Sequence, residues 1–325
     1  MIAYIIRRVL YAFPILLGVN IITFALFFMV NSPDQMAQVQ LGMKHITPDA
    51  IHNWKQQHGY NKPLFINGSE SGLKKVTDTI FFDKSIRLFV FDFGKSDQGH
   101  VIAQEISERM WPSLAVQIPV FIIGLTVNIV FALMVVMFRA SIFELSAMVA
   151  CIVLFSISAV FYIIGGQFLF GKLWKLVPIS GYLHGIHALP FLILPVVIGV
   201  ISGIGSGTRL YRMIFMEEIH RDYIRTARAK GVSETAILFR HLLPNALIPI
   251  LTGVVVVIPT LFMGSLLTES FFGIPGLGSF TIDGIQAQDF SIVRSMVFLG
   301  SVLYIVGLIL TDISYTWVDP RVRLS

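Results

Sequence analysis

Six long apolar stretches limit what this chain can fold into more than any other feature. A helix needs roughly 20 apolar residues to cross about 30 Å of hydrocarbon. An open sheet in lipid would leave backbone donors and acceptors unpaired, so these stretches are expected to be helices. The first five contain no Asp, Glu, Lys or Arg, and the sixth contains only Asp312. They cover residues 9–30, 113–138, 145–171, 189–208, 245–268 and 295–317.

Composition supports a membrane protein. Of 325 residues, 55% are hydrophobic and 13% are charged, whereas a soluble domain carries roughly 25% charged residues. The first stretch follows Arg7 and Arg8, as in a secretory signal, but it is too long and lacks a small-residue cleavage site before Asn31. It is therefore predicted to be a retained span. The single cysteine, Cys151, excludes an intrachain disulfide and is expected to be a small buried residue.

The distribution of basic residues predicts the orientation. Six spans place both termini on one side, and short cytoplasmic loops are enriched in Lys and Arg. The net charge of +5 is thus explained by topology, and no nucleic-acid partner is expected. The basic residues that fall on the predicted cytoplasmic side are Arg7, Arg8, Arg139, Arg209, Arg212, Arg221, Arg225, Arg228, Lys230, Arg240, Arg321 and Arg323.

These patterns predict an all-α membrane protein with both termini in the cytoplasm. Residues 1–30 form the first transmembrane helix, 31–112 a small extracytoplasmic subdomain, and 113–325 a core of five helices with a cytoplasmic loop at 210–245. In the subdomain, Thr47-Pro48-Asp49 predicts the cap and first turn of a helix that runs to about His58 and ends in a turn at Gly59.

The cytoplasmic loop from Glu217 to Asn245 is the most informative segment. It predicts a polar helix that ends near Lys230, a left-handed C-cap at Gly231, a second helix capped by Ser233, and a stop at Pro244. Small residues alternate with basic ones, which suits either close insertion into a partner's acidic groove or a basic helix on anionic lipid. Composition alone favours neither. The alternating residues are Arg225, Thr226, Ala227, Arg228, Ala229, Lys230 and Gly231.

The stretch Tyr223 to Gly231, with Leu243-Pro244 beginning twelve residues beyond the glycine, resembles the coupling loop of permeases from peptide- and nickel-type ATP-binding-cassette importers. That family has the loop pattern Glu-Ala-Ala, three residues, Gly, nine residues, Ile-x-Leu-Pro. This chain keeps Ala227, Gly231, Leu243 and Pro244. It departs at Arg225, Thr226 and His241, and the Arg-Thr-Ala-Arg-Ala-Lys-Gly form is typical of the peptide and nickel branch.

A second stretch resembles the same branch. Residues 269–278 are followed by Asp289-Phe290 and by the ending Asp319-Pro320-Arg321. The Pro and Gly positions predict a tight non-helical excursion between spans five and six on the outer face. The resemblance implies that this loop helps to form the outer mouth of the pathway, with Glu269, Phe272, Pro275, Gly276 and Gly278 as its residues.

Further likeness lies in Val177-Pro178-Ile179-Ser180-Gly181 and near the N-terminus. Spans two and three are less similar to the family. They lack its Gly-Ile-Pro-Leu-Gly-like run, and they have Ser156-Ile157-Ser158 where the family has Ser-Ile-Pro. The residues that line the pathway are therefore expected to differ.

No catalytic or metal site is predicted. Gly94-Lys95-Ser96 lacks the earlier Gly of a phosphate-binding loop and instead resembles an extracytoplasmic turn of the permease branch. His184 and His187 lack a third ligand nearby, and Asp283 and Asp289 are interpreted as solvated loop acids. A cofactor is likewise not expected.

The resemblance implies a permease subunit that forms half of a pathway for peptides or related small solutes. Its implied partners are a second permease subunit, two ATP-binding-cassette ATPase subunits and an extracytoplasmic substrate-binding protein, with membrane lipid around it. An ion-coupled secondary transporter is the alternative, although such a protein normally carries ionisable residues at membrane depth and repeated halves.

Overall fold

The computed structural model of the chain describes residues 2–30, 32–42 and 47–318, and the named secondary-structure elements within them are all helical. Within these residues, five helices are long and apolar enough to cross a membrane, and a bent helix pair makes a sixth crossing if it counts as one span. The prediction of an all-α membrane protein is therefore confirmed. The closing residues Asp319, Pro320, Arg321 and Arg323 lie outside the described part of the chain.

The helices follow the predicted order. Short 3₁₀ segments at Ile86–Val90, Gly185–Ala188 and Pro259–Met263, and π-helical segments at Gln167–Leu173 and Ile237–Leu242, extend or join them. The α-helices are α1 (Ile2–Val30), α2 (Pro33–Leu41), α3 (Pro48–His58), α4 (Lys74–Thr77), α5 (Ile80–Lys84), α6 (Ile102–Met137), α7 (Ile142–Ser156), α8 (Ala159–Gly166), α9 (Leu189–Glu218), α10 (Asp222–Ala229), α11 (Glu234–Ala236), α12 (Leu243–Val257), α13 (Leu266–Phe272), α14 (Leu277–Gln286) and α15 (Phe290–Val318).

The first of two compact units comprises residues 2–109 and 280–309. Its core is an aromatic cluster in which side chains of α1 pack with the short helices that follow. The predicted cap is confirmed, since the Thr47 hydroxyl accepts a hydrogen bond from the backbone N–H of Ala50 at 3.4 Å. The helix α3 ends as predicted at Gly59, whose φ is +70°. The cluster includes Phe24, Phe28, Met36, Trp54, Tyr60 and Ile80.

The second unit comprises residues 110–279 and 310–318. Its largest apolar cluster joins α6, α9 and α12 to the loop helices α10 and Ile237–Leu242. The side chains of Phe215, Ile224 and Ile237 are completely buried there. Because burial of one such side chain contributes about 1.5–3 kcal/mol, the loop helices are fixed to the membrane helices by their own apolar residues.

The third predicted span is not one straight helix, and in this respect the prediction is wrong. Two helical segments, Ile142–Ser156 and Ala159–Leu173, meet at an angle of 88°. Ile157 and Ser158 adopt extended backbone angles, so the helical hydrogen-bond ladder is interrupted without a proline. The Tyr162 hydroxyl donates to the carbonyl oxygen of Leu154 at 2.8 Å and bridges the bend.

The fifth predicted span ends earlier than expected. The helix that begins at α12 continues as a 3₁₀ turn to Met263 and stops at Gly264, whose φ is +69°. Ser265 then caps the separate helix α13 by accepting a hydrogen bond from the backbone N–H of Thr268 at 3.3 Å. Residues 265–268, which we predicted to belong to the span, are therefore part of the connection to the last span.

Candidate functional site

The predicted helical hairpin in the cytoplasmic loop is present. Helix α10 covers Asp222–Ala229, and Gly231 follows with a φ of +77°, where a glycine is favoured. The Ser233 hydroxyl accepts a hydrogen bond from the backbone N–H of Ala236 at 3.4 Å and caps the next helix. The C-cap at Gly231 and the N-cap at Ser233 are therefore confirmed.

The two faces of α10 differ sharply. Ile224 and Ala227, three residues apart, are buried in the cluster that includes Phe215 and Leu238. Ala227, which we predicted to enter a partner's groove, thus packs against its own chain. The opposite face is exposed, and we call it the docking face after the predicted, untested contact with a partner. It consists of Tyr223, Arg225, Thr226, Ala229, Lys230 and Gly231.

The basic residues of the loop are not equally available to a partner. Arg228 binds Glu234 through two nitrogens, at 2.5 Å and 3.2 Å, and Arg139 lies 3.5 Å from the same carboxylate. The Arg225 side chain is 70% exposed, and its neighbour Asp222, at 3.6 Å, is still more exposed. An exposed pair at this distance is weak, so Arg225 can exchange it for a partner's carboxylate at little cost.

Pro244 does not stop the helix, and here the prediction is wrong. Residues Ile237–Leu242 form a π-helical segment, and α12 begins directly after it at Leu243 with Pro244 in its first turn. Proline is tolerated in the first turn of an α-helix because a backbone N–H at that position would have no intrahelical acceptor. The wider turn before it lets the chain pass from α11 into the membrane helix without a break. Leu243 packs against the core cluster, whereas Pro244 is exposed.

The predicted outer-mouth loop is a tightly hydrogen-bonded turn around Glu269. One Glu269 oxygen accepts a hydrogen bond from the backbone N–H of Ser265, and the other accepts from that of Ser279, both at 3.1 Å. A Cβ at Gly264 or Gly276 would overlap this carboxylate. The turn is therefore built around a buried acid. We call residues 264–279 the Glu269 turn.

Burial raises the pKa of Glu269 above its ordinary value, while hydrogen bonds from Ser113 and from three backbone N–H groups act in the opposite direction. The Ser113 hydroxyl also accepts a hydrogen bond from the backbone N–H of Leu277 at 2.8 Å. This carboxylate thus organises three segments of the second unit, and its role is to position the turn.

The excursion between the last two spans is less irregular than predicted. The helices α13 and α14 flank a short turn with a left-handed Gly273, whose φ is +64°. Phe272 is buried, and its carbonyl oxygen accepts a hydrogen bond from the backbone N–H of Gly181 at 2.7 Å. The two outer segments that resemble the permease branch therefore contact each other. Of the five residues assigned to the mouth, Glu269, Phe272, Gly276 and Gly278 are buried, and Pro275 is half-buried.

Asp289 is not a solvated loop acid, and this prediction is also wrong. It is 2% exposed, and one carboxylate oxygen accepts hydrogen bonds from the backbone N–H groups of Ser291 and Ile292 at 3.1 and 3.2 Å. It thereby caps α15. Asp283 is exposed as predicted. The signal that sequence reasoning missed is the Asp-x-Ser step directly before an apolar run, which is a helix N-cap pattern.

Comparisons with known proteins agree with this architecture. A family model described as "Binding-protein-dependent transport system inner membrane component" matches residues 109–324. A second model, "Binding-prot-dependent transport system membrane comp, N-term", matches residues 1–85. Relatives resemble the chain over its whole length. A Brucella abortus (strain 2308) protein named as a peptide transport system permease is 31% identical over 99% of both chains.

The dipeptide transport system permease protein DppB of Escherichia coli (strain K12) is 26% identical over 99% of both chains. DppB of Alkalihalophilus pseudofirmus is also 26% identical, over 99% of this chain and 100% of the relative. Helices of spanning length and the family match agree on a multi-pass protein of the bacterial inner membrane. The chain therefore belongs to the family of binding-protein-dependent transport system inner-membrane components, the permease subunits of ATP-binding-cassette importers.

Proposed function

We propose that this permease imports peptides or related small solutes. It forms half of the translocation pathway together with a second permease subunit. Two separate ATPase subunits hydrolyse ATP, and an extracytoplasmic binding protein delivers the cargo. The full-length similarity to proteins named as peptide and dipeptide transport permeases supports the peptide class of cargo.

The docking face is the observation that carries the proposal. It combines small side chains at Thr226, Ala229 and Gly231 with two open cations, Arg225 and Lys230. Small residues permit close approach of a partner's backbone, and the cations complement acidic residues in its groove. This exposed surface therefore supports the docking of an ATPase groove on α10.

The inward face of α10 supports transmission of movement. Ile224 and Ala227 are anchored in the same cluster as residues of α6, α9 and α12. A displacement of α10 by a closing ATPase pair would therefore move packed membrane helices with it, because close-packed interfaces shift as units. If this displacement rotates the membrane helices, it opens the pathway to one side of the membrane and closes it to the other, which is alternating access.

The test is uptake of a labelled dipeptide into proteoliposomes that contain this permease with its companion permease, ATPases and binding protein. Uptake is expected to require every component and ATP, and to be inhibited by unlabelled peptides. Omission of the ATPases provides the control. ATP-independent uptake by this chain alone, driven by an ion gradient, would instead establish an ion-coupled secondary transporter. Uptake inhibited by a nickel chelate but not by peptides would refute the peptide cargo.

A further inference from the structure

Arg294 is a buried cation for which the described residues provide no hydrogen-bonded or ion-pair partner. It lies in the first turns of α15 and is only 5% exposed. Its Nε has no hydrogen-bond partner, and no carboxylate of the described residues lies within 4.0 Å of its guanidinium. A buried charge that is neither paired nor hydrogen-bonded is strongly unfavourable. A cation in this position therefore requires a compensating group.

The two acids whose charges act on Arg294, Asp289 and Asp97, make their hydrogen bonds and close contacts with other groups. Asp289 accepts hydrogen bonds from the backbone N–H groups of the α15 cap and, through its other oxygen, from the backbone N–H of Asp97 at 2.6 Å. The Asp97 carboxylate lies 3.7 Å from the His58 ring and 3.4 Å from the Gln40 amide. Both acids act on Arg294 electrostatically, yet neither contacts it.

Arg294 lines a polar pocket of about 340 Å³ in the first unit. The pocket has two carboxylates, and both are paired. Asp83 lies 2.6 Å from Lys62 and 3.5 Å from Arg87, and Asp92 lies 3.9 Å from Arg87. The other lining residues include Gln56, Gln57, His58, Lys84, Lys95 and Ser291.

Three lining cations thus lack a carboxylate partner within the described part of the chain. These are Lys84, Lys95 and Arg294. The ammonium group of Lys84 lies 5.1 Å from the centre of the Tyr60 ring, while Lys95 is exposed at the pocket rim. Two amides and a hydroxyl complete a lining rich in donors. Such a lining recognises negative charge, and a guanidinium suits the paired oxygens of a carboxylate or phosphate.

We propose that this pocket is a binding site for a small oxyanion, with Arg294 as its central ligand and Lys84 as a second one. The volume is at the lower end of the range for ligand sites, so it fits inorganic phosphate, a carboxylate or one lipid phosphate group. All three ligands present anionic oxygens, which the donors of the pocket can bind. They come from different sources, and an experiment can distinguish a free anion from a lipid.

The first arm uses the full-length chain, purified in detergent in buffer free of phosphate and carboxylates. Titration calorimetry with inorganic phosphate and, separately, acetate is expected to give saturable binding for at least one of them, with a dissociation constant below about 1 mM. Arg294→Gln should weaken binding by about tenfold or more, since it removes charge-assisted hydrogen bonds. Arg294→Lys, which keeps the charge but not the fork, should fall in between.

Arg109→Gln is the matched control. Arg109 is in the same unit but outside the pocket, where it pairs with Glu105 at 2.7 Å, so its loss lowers the net charge equally and should leave binding intact. Lys84→Gln provides a second pocket variant in case Arg294→Gln does not fold, and it should also weaken binding.

The second arm tests a lipid source. The chain is reconstituted in nanodiscs with phosphatidylglycerol, and retained phospholipid is measured by native mass spectrometry. Retention that is lost in Arg294→Gln and kept in Arg109→Gln assigns the site to a lipid phosphate. Binding in the first arm alone assigns it to a free anion. If neither arm shows binding that depends on Arg294 or Lys84, the pocket holds only water and the proposal is wrong.

Discussion

Arg228 and Glu234 clamp the two helices of the cytoplasmic loop together, with Nε 2.5 Å from one carboxylate oxygen and Nη2 3.2 Å from the other. A two-point contact of this kind fixes an angle as well as a distance. The turn at Gly231 lies between the paired residues. Arg228 therefore stabilises the conformation of the docking face, and Arg225 and Lys230 are its exposed cations.

A double-mutant cycle on this pair should give non-additive transport rates. Neutral variants are preferable, because Arg139 lies 3.5 Å from Glu234 and a reversed charge would place two cations together. We expect Arg228→Gln and Glu234→Gln each to lower ATP-driven uptake and the double variant to be no worse than either alone. The pair itself should contribute only about 0.5–1 kcal/mol to stability, since both side chains are partly exposed. Additive losses would mean that Arg228 contacts the ATPase directly.

Gly231→Asn should abolish ATP-driven uptake while the protein remains in the membrane. Asn tolerates the left-handed conformation, and a Cβ at this position meets nothing within 4 Å in the chain, so the variant tests contact with a partner. Gly72→Asn is a matched control, because Gly72 also has a left-handed φ, of +67°, and the same open surroundings. Uptake measured in whole cells, with membrane levels checked by immunoblot, should separate the two. Equal activity of both variants would contradict the docking face.

The docking face should be accessible only from the cytoplasm. Cys151, the one cysteine of the chain, is completely buried, so Lys230→Cys introduces an exposed thiol against an unreactive background. A membrane-impermeant maleimide should label it in inside-out vesicles and not in intact spheroplasts. Ser71→Cys, in the predicted extracytoplasmic subdomain, should show the opposite pattern. Labelling of Lys230→Cys from outside would invert the predicted topology.

Local sequence signals were sufficient for the elements that depend on them. The caps at Thr47 and Ser233 and the left-handed glycines 59 and 231 follow from side chains and backbone preferences within four residues. The apolar stretches likewise predicted helices of spanning length because the bilayer imposes one length on all of them.

Features that depend on tertiary contacts could not be predicted in the same way. The break at Ile157 has no proline, and it depends on contacts such as the bridge from Tyr162 to Leu154. The π-helical turn before Pro244 and the burial of Ala227 depend on the packing of distant helices. Polar residues in loops, such as Asp289, resemble solvated residues until the fold buries them.

Asp97 should make the stability of the chain depend on pH. Burial, and after it the charge of Asp289, raise the pKa of this carboxyl to about 6, although His58, Lys84 and Arg294 act in the opposite direction. An acid with a raised pKa binds more protons when folded, so its ionisation lowers the free energy of unfolding as pH rises through about 4 to 6. Relative to wild type, Asp97→Asn should gain about 2 kcal/mol between pH 4 and pH 7. Thermal unfolding in detergent across this range measures the gain, and a constant difference between the two proteins would contradict the assignment.

Gly276→Ala should destabilise the Glu269 turn through steric overlap with two side chains. The backbone at Gly276 does not have a positive φ, so alanine brings no conformational strain, but its Cβ would overlap the Glu269 carboxylate and lie 2.5 Å from the Ser113 hydroxyl. We expect a loss of about 1–3 kcal/mol in thermal unfolding. Gly253→Ala, where a Cβ meets nothing within 4 Å, should cost nothing measurable. Glu269→Ala alone should also destabilise the chain, because the backbone N–H groups of the turn lose their acceptor. Since Glu269→Ala removes one of the two groups that Gly276→Ala overlaps and leaves Ser113, the double variant should be less destabilised than the sum of the two. Strict additivity would show that the overlap with Glu269 is relieved elsewhere.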